Sequence, residues 1–119
     1  MADLTIQNVV EAGLTETLAA ATAGGDAIIN TGADTILHVK NAGAGAVAVT
    51  ITAQRTSKTV GGFGAMTKAN IVVTVAAGAE SFIGPFPVSA FDDSTGRVQI
   101  TYDQVLTVTV AALRVPRAA

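Results

Sequence analysis

The chain has no cysteine and no tryptophan, one tyrosine, one histidine and three prolines in 119 residues. Without cysteine, no disulfide holds the fold and no redox compartment is implied. One histidine and no thiol cannot supply the nitrogen and sulfur ligands of a zinc centre. Aromatic residues are 4% of the chain, so a core must be built from Ala, Val, Ile and Leu. Charged residues are 13%, against roughly 25% in an ordinary soluble domain. The surface is therefore left to Thr, Ala, Gly, Ser and Asn, and a small domain of this kind is expected to have part of its surface covered by another subunit. The net charge is -2 and the seven basic residues are scattered, which gives no electrostatic footprint for nucleic acid. The N-terminus lacks the basic and apolar regions of a signal peptide. The charge-free stretch 41–54 is too short, and too rich in Gly and Thr, to cross a bilayer that needs about 20 apolar residues. The expectation is a soluble chain made in the cytoplasm, with no membrane partner.

What is present is alternation. The length is that of one domain, residues 1–119, with 1–10 a candidate extended arm and 114–119 a short tail. The stretch 35–52, TILHVKNAGAGAVAVTIT, reads as two strands joined by a tight glycine turn over Asn41-Ala42-Gly43-Ala44-Gly45. Leu37 and Val39 share one face, and Val47, Val49 and Ile51 do the same on the return. Residues 2–10 alternate weakly, with Leu4 and Ile6 on one face. Residues 11–21 are ambiguous: Leu14 and Leu18 are spaced for a helix, while Gly13 and the threonines favour extended chain. Further strands are read at 27–29, 70–76, 80–86, 97–103 and 106–113, the last with Leu106, Val108, Val110 and Ala112 on one face. About eight short strands, with turns every eight to twelve residues, predict an all-β fold, an antiparallel β-sandwich or a jelly-roll-like barrel. Periodicity does not separate these two. Residues 54–69 show no clean period and read as a long loop, a place where function concentrates; it presents Phe63 and Met66 as candidate contacts. Phe82, Phe86 and Phe91 are expected to plug one end of the core.

Chemistry is hard to place on this pattern. His38 shares a face with Ile36 and Lys40, opposite Leu37 and Val39, and is expected at the surface. Asp92 and Asp93 lack the spacing of a calcium loop and read as turn residues that bond their own backbone. No G-x-S-x-G elbow is present, and Gly61-Gly62-Phe63-Gly64 does not match a phosphate loop. No carboxylate pair stands out for glycoside hydrolysis. The expectation is a non-enzymatic chain with no cofactor and no metal.

Several pieces follow one another in a familiar order: AGLTET at 12–17, GGDAIINTG at 24–32, TILHVKN at 35–41, FIGPFP at 82–87, GRVQITY at 96–102 and TVTVAALR at 107–114. Together they cover nearly the whole chain, and it resembles a group of small tailed-bacteriophage virion proteins, the head decoration (capsid cement) proteins. That resemblance implies a place on the outer capsid surface of the virion, commonly as a homotrimer at threefold positions. The partner would be the major capsid protein, braced against internal DNA pressure. The family offers no fixed functional residues to carry over. Two contact regions are expected: the strand bearing Leu4 and Ile6, adding to a capsid or subunit edge, and the loop bearing Phe63 and Met66. The alternatives are a tail or head–tail connector subunit, and a carbohydrate-binding or adhesin-like sandwich. The shortage of aromatics weighs against the last.

Overall fold

The computed structural model describes residues 2–30, 34–54, 57–86 and 88–115. In chain order the elements are β1 (Ala2–Asp3), β2 (Ile6–Asn8), β3 (Ala19–Ala20), β4 (Asp26–Ile29), β5 (Thr35–Asn41), β6 (Val47–Ile51), β7 (Ser57–Val60), β8 (Gly64–Thr67), β9 (Ile71–Val75), β10 (Glu80–Ile83), the helical turn α1 (Val88–Phe91), β11 (Arg97–Tyr102) and β12 (Val108–Arg114). The fold is all-β, as the alternation predicts. Two five-stranded sheets carry it: β1-β4-β11-β6-β9, and β10-β5-β12-β2 with β3 also on β12. The sheets are not closed into a barrel, so of the two architectures the sequence left open the sandwich is the one formed. Most pairs are antiparallel, but β1 runs parallel to β4 and β2 parallel to β12.

The core lies between the sheets. Val47, Val49 and Ile51 of β6 and Val98 and Ile100 of β11 face Leu37 and Val39 of β5 and Val108, Val110 and Ala112 of β12, all essentially without exposure. One end is closed by Phe86 and Phe91, which meet edge to face with ring centres 6.3 Å apart. Asn30 fixes that end by donating from its carboxamide to the Phe86 carbonyl at 3.0 Å and to Asp92 at 2.8 Å. Phe82 does not join the plug. Strand alternation turns Ile83 inward and Phe82 outward, and Phe82 is 64% exposed. Leu106 also departs from expectation: it sits in the turn before β12 and is 78% exposed.

The largest departure concerns β5 and β6. Each strand forms where alternation places it, and the faces are as expected. They do not pair, however: β5 belongs to the second sheet and β6 to the first. The Asn-Gly stretch is a crossover between layers rather than a hairpin turn. Asn41 is the reason it holds this path. Its buried carboxamide donates to the carbonyls of Gly45 at 2.8 Å and Val75 at 3.1 Å, and accepts from the Gly43 N–H at 3.0 Å. These bonds tie the crossover to the end of β9 and the turn that leads into β10.

Two segments change sheets at the flanks. The chain enters on β1 in the first sheet and continues as β2 in the second; on the other flank β9 ends the first sheet and β10, after the turn, ends the second. Leu4 and Ile6 pack half-buried against the core. In the segment 11–21 no helix forms and only Ala19–Ala20 are strand, as β3; residues 11–12 are a turn, so the strand reading of that ambiguous stretch holds at its end alone. The expected turn at 30–34 falls largely on residues 31–33, outside the described residues.

Asn41→Ala removes these donors and leaves buried carbonyls unpaired. The expected loss is about 2–3 kcal/mol of stability, read from urea unfolding; a loss below about 0.5 kcal/mol would mean the crossover does not depend on this side chain.

Candidate functional site

Besides Asn30 and Asn41, three groups of engaged polar side chains stand out. The first surrounds His38. It lies on the outer face of the second sheet, as its strand register requires, but it is 3% exposed, so the expected surface position is overturned. Residues 9–18 run over this face and bring Glu16 within 2.5 Å of Nδ1, while Nε2 bonds Glu80 at 2.9 Å. Nδ1 and Glu16 are close without being aligned as a hydrogen bond. Phe82 stacks on the imidazole with centres 4.3 Å apart. A ring protonated on both nitrogens can donate to both carboxylates; a neutral ring can donate to one. This cluster clasps the crossing segment to the sheet. Gln7 reinforces the clasp with two 2.8 Å bonds to the backbone of Thr17.

The second group is the turn at 92–96. The Asp93 carboxylate accepts from the Thr95 N–H and hydroxyl, the Arg97 N–H and the Gln99 amide. The Thr95 hydroxyl, then the Arg97 N–H and Gln99, hold its pKa well below the usual carboxylate range. This is the local turn bonding expected of the Asp-Ser pair. No three His, Cys, Asp or Glu side chains gather as a metal set among the described residues.

The third group joins β4 to β11. Asp26 is fully buried and accepts from the Tyr102 hydroxyl at 2.7 Å and from the Thr22 N–H at 3.2 Å, both on Oδ2. Gly25 allows the turn that aims it. Its φ is +97°, and a Cβ there would lie 2.6 Å from the Ile100 carbonyl oxygen, so only glycine fits. Burial first, then the bond to Asp26 and the Asp26 charge, push the Tyr102 pKa far upward.

Among the described residues, one exposed element stands out for its continuity. β6 and β9 form a long hairpin, and the expected loop at 54–69 is largely its extension, the two-stranded ribbon β7–β8. The ribbon has little contact with any element but itself. Its tip is Gly61-Gly62-Phe63, with the Phe63 N–H bonded to the Val60 carbonyl at 3.0 Å. Gly62 and Gly64 take φ of +81° and +83°, which a side chain would strain. Phe63 is 83% exposed; the side chain of Met66 lies outside the described residues. The ribbon is not legible in the sequence because Ser57, Gly61, Gly62, Gly64 and Ala65 interrupt any apolar alternation.

β9 itself is a bare sheet edge. Natural edges are blunted by charge, proline or shortness. β1 is two residues long and carries Asp3, paired to Arg97 at 3.1 Å. β10 begins at Glu80 and is followed by Pro85. β2 and β3 are short. β9, with sequence IVVTV, has none of these devices, and Val72 on its outer face is 61% exposed. The N-terminal segment is the opposite case. Its strand addition takes place on the chain's own sheets, and Leu4 and Ile6 face its own core.

A scan against protein-family models finds no match, and searches of curated proteins and of solved structures find none either.

Two outcomes follow from these clusters. His38→Ala leaves the Glu16 carboxylate without its partner, with an expected loss of about 1–3 kcal/mol and faster amide exchange over 11–18 than over β11. Equal rates in both regions would show that the clasp does not hold the segment. Tyr102 is the only tyrosine and there is no tryptophan, so absorbance at 295 nm reports it alone. Its folded pKa lies above the unfolded value of about 10. Its contribution to stability is therefore full below that pH and declines as pH rises above it. The folded protein should show no tyrosinate at pH 10–11, where the urea-unfolded chain shows it; a rise in the folded protein would place the hydroxyl in solvent.

Proposed function

We propose that the chain is a non-enzymatic virion structural protein that decorates and stabilises the capsid exterior of a tailed bacteriophage, with the major capsid protein as its partner and a homotrimer as its working unit. The observation that carries this reading is the 47–75 hairpin. One element combines an uncharged, unprotected sheet edge with a ribbon that holds Phe63 out at its tip. Strand edges bind through main-chain groups and need no particular side chains. An exposed aromatic at a tip is the kind of residue that anchors a contact when it enters a pocket. A bracing protein needs such passive surfaces on a rigid body. The low charge of the chain and the six stretches that resemble decoration proteins support the same reading. In a threefold assembly the contacts are heterologous, so the β9 edge of one copy meets a different surface of the next.

The test pairs one variant with one mass measurement. Phe63→Ala should leave stability unchanged within about 0.5 kcal/mol and weaken co-sedimentation with capsids lacking this protein by about tenfold or more, the loss of about 1.4 kcal/mol or more. Light scattering should give a trimer. Undiminished capsid binding would remove Phe63 from the contact. A ring of six or more subunits would favour the tail or connector reading instead.

A further inference from the structure

The flank where the N-terminal segment changes sheets is not fully closed. β2 pairs with residues 112–114 of β12 and β3 with residues 109–110, and between them a cleft of about 380 Å³ opens toward the interior. Leu4, Ala19, Ala20 and Ala112 give it apolar walls, and Asp26 is the buried acid among its lining residues. Asp26 is 0% exposed, and its Oδ2 is already committed to Tyr102 and Thr22. Its Oδ1 is buried and has no partner. A buried acceptor without a donor is costly, and acidic side chains are seldom buried unpaired. The other acid lining the cleft, Asp3, is paired with Arg97. The cleft thus combines apolar walls with a lining acid, Asp26, one of whose oxygens lacks a donor, and no basic side chain is among its lining residues.

We infer that this cleft is a binding site for an alkylammonium chain, whose methylenes lie along Leu4 and the alanines and whose ammonium donates to Asp26 Oδ1. The chemistry is that of a lysine side chain, which carries an apolar stem and a compact cation with three donors. A free aliphatic amine and a lysine presented by another protein share it. The inference does not depend on the capsid reading.

The experiment uses the full chain and three probes followed by amide chemical shifts: n-butylammonium, its neutral counterpart n-butanol, and lysine blocked at both ends. Butylammonium should bind saturably, shifting Leu4, Thr17, Ala19 and Ala112, and about tenfold or more tighter than butanol, as expected for a charge-assisted bond. Asp26→Asn should abolish that preference. Because Asp26 also bonds Tyr102, that variant has a companion: Ala20→Met fills the cleft from its exposed rim and should block butylammonium with Asp26 intact. Blocked lysine binding more tightly than butylammonium identifies a partner's side chain as the source; weaker binding identifies a free amine. Equal affinity for butanol and butylammonium, or butylammonium binding undiminished in Ala20→Met, would overturn the site.

Discussion

The second sheet buries both of its faces in the middle, and much of the molecule follows from that. Strands β5 and β12 carry long buried runs rather than alternation: Leu37, His38 and Val39 on one, Val110 to Leu113 on the other. A strand buried on both sides needs cover on its outer face, and residues 9–18 provide it. Cover must be anchored at both ends. β2 anchors it on one side of the gap along β12 and β3 on the other, and the His38 clasp pins its middle. The N-terminal segment is therefore part of the body, with β1 and β2 each paired along one side to the chain's own sheets.

That constraint also decides which surface is free. With the second sheet covered, and three of the four sheet edges short or carrying charge, the uncommitted backbone lies along β9. The ribbon continues the same hairpin. The β9 edge and the ribbon tip thus lie on one hairpin, held to the core through Ile71, Val73 and Val75.

The sequence made the strands legible and their partners much less so. Alternation at 35–41 and 47–51 identifies faces correctly, because which side is apolar is a local property. Which sheet each strand joins is not local. The Asn-Gly stretch looks like a hairpin turn until Asn41 is seen bonding Val75 across the layers, 34 positions along the chain. His38 fails for the same reason: its strand face is read correctly, and only the distant Glu16 shows that the face is covered. Phe82 reads with the core aromatics in sequence, although one residue decides the face of a strand. Of the candidate contacts, Phe63 stands exposed on a ribbon that its glycines had hidden, while Leu4 and Ile6 turn out to face inward.

Asp26 shows where the two kinds of information meet. In sequence it is the end of a Gly-Gly-Asp turn, indistinguishable from the turn acids at 92 and 93. Both acids become hydrogen-bond hubs, but Asp93 is surrounded by donors from its own turn, whereas Asp26 is carried inward by the first residue of β4 and meets only Tyr102 and Thr22. The difference is one of register. Asp26 pairs with Ile100, an inward position, so its side chain must enter the interior where backbone donors are already used. A buried carboxyl in that position has one oxygen satisfied by the fold and one left to whatever occupies the flank, and the alanines at 19, 20 and 112 leave room there that larger residues would have filled.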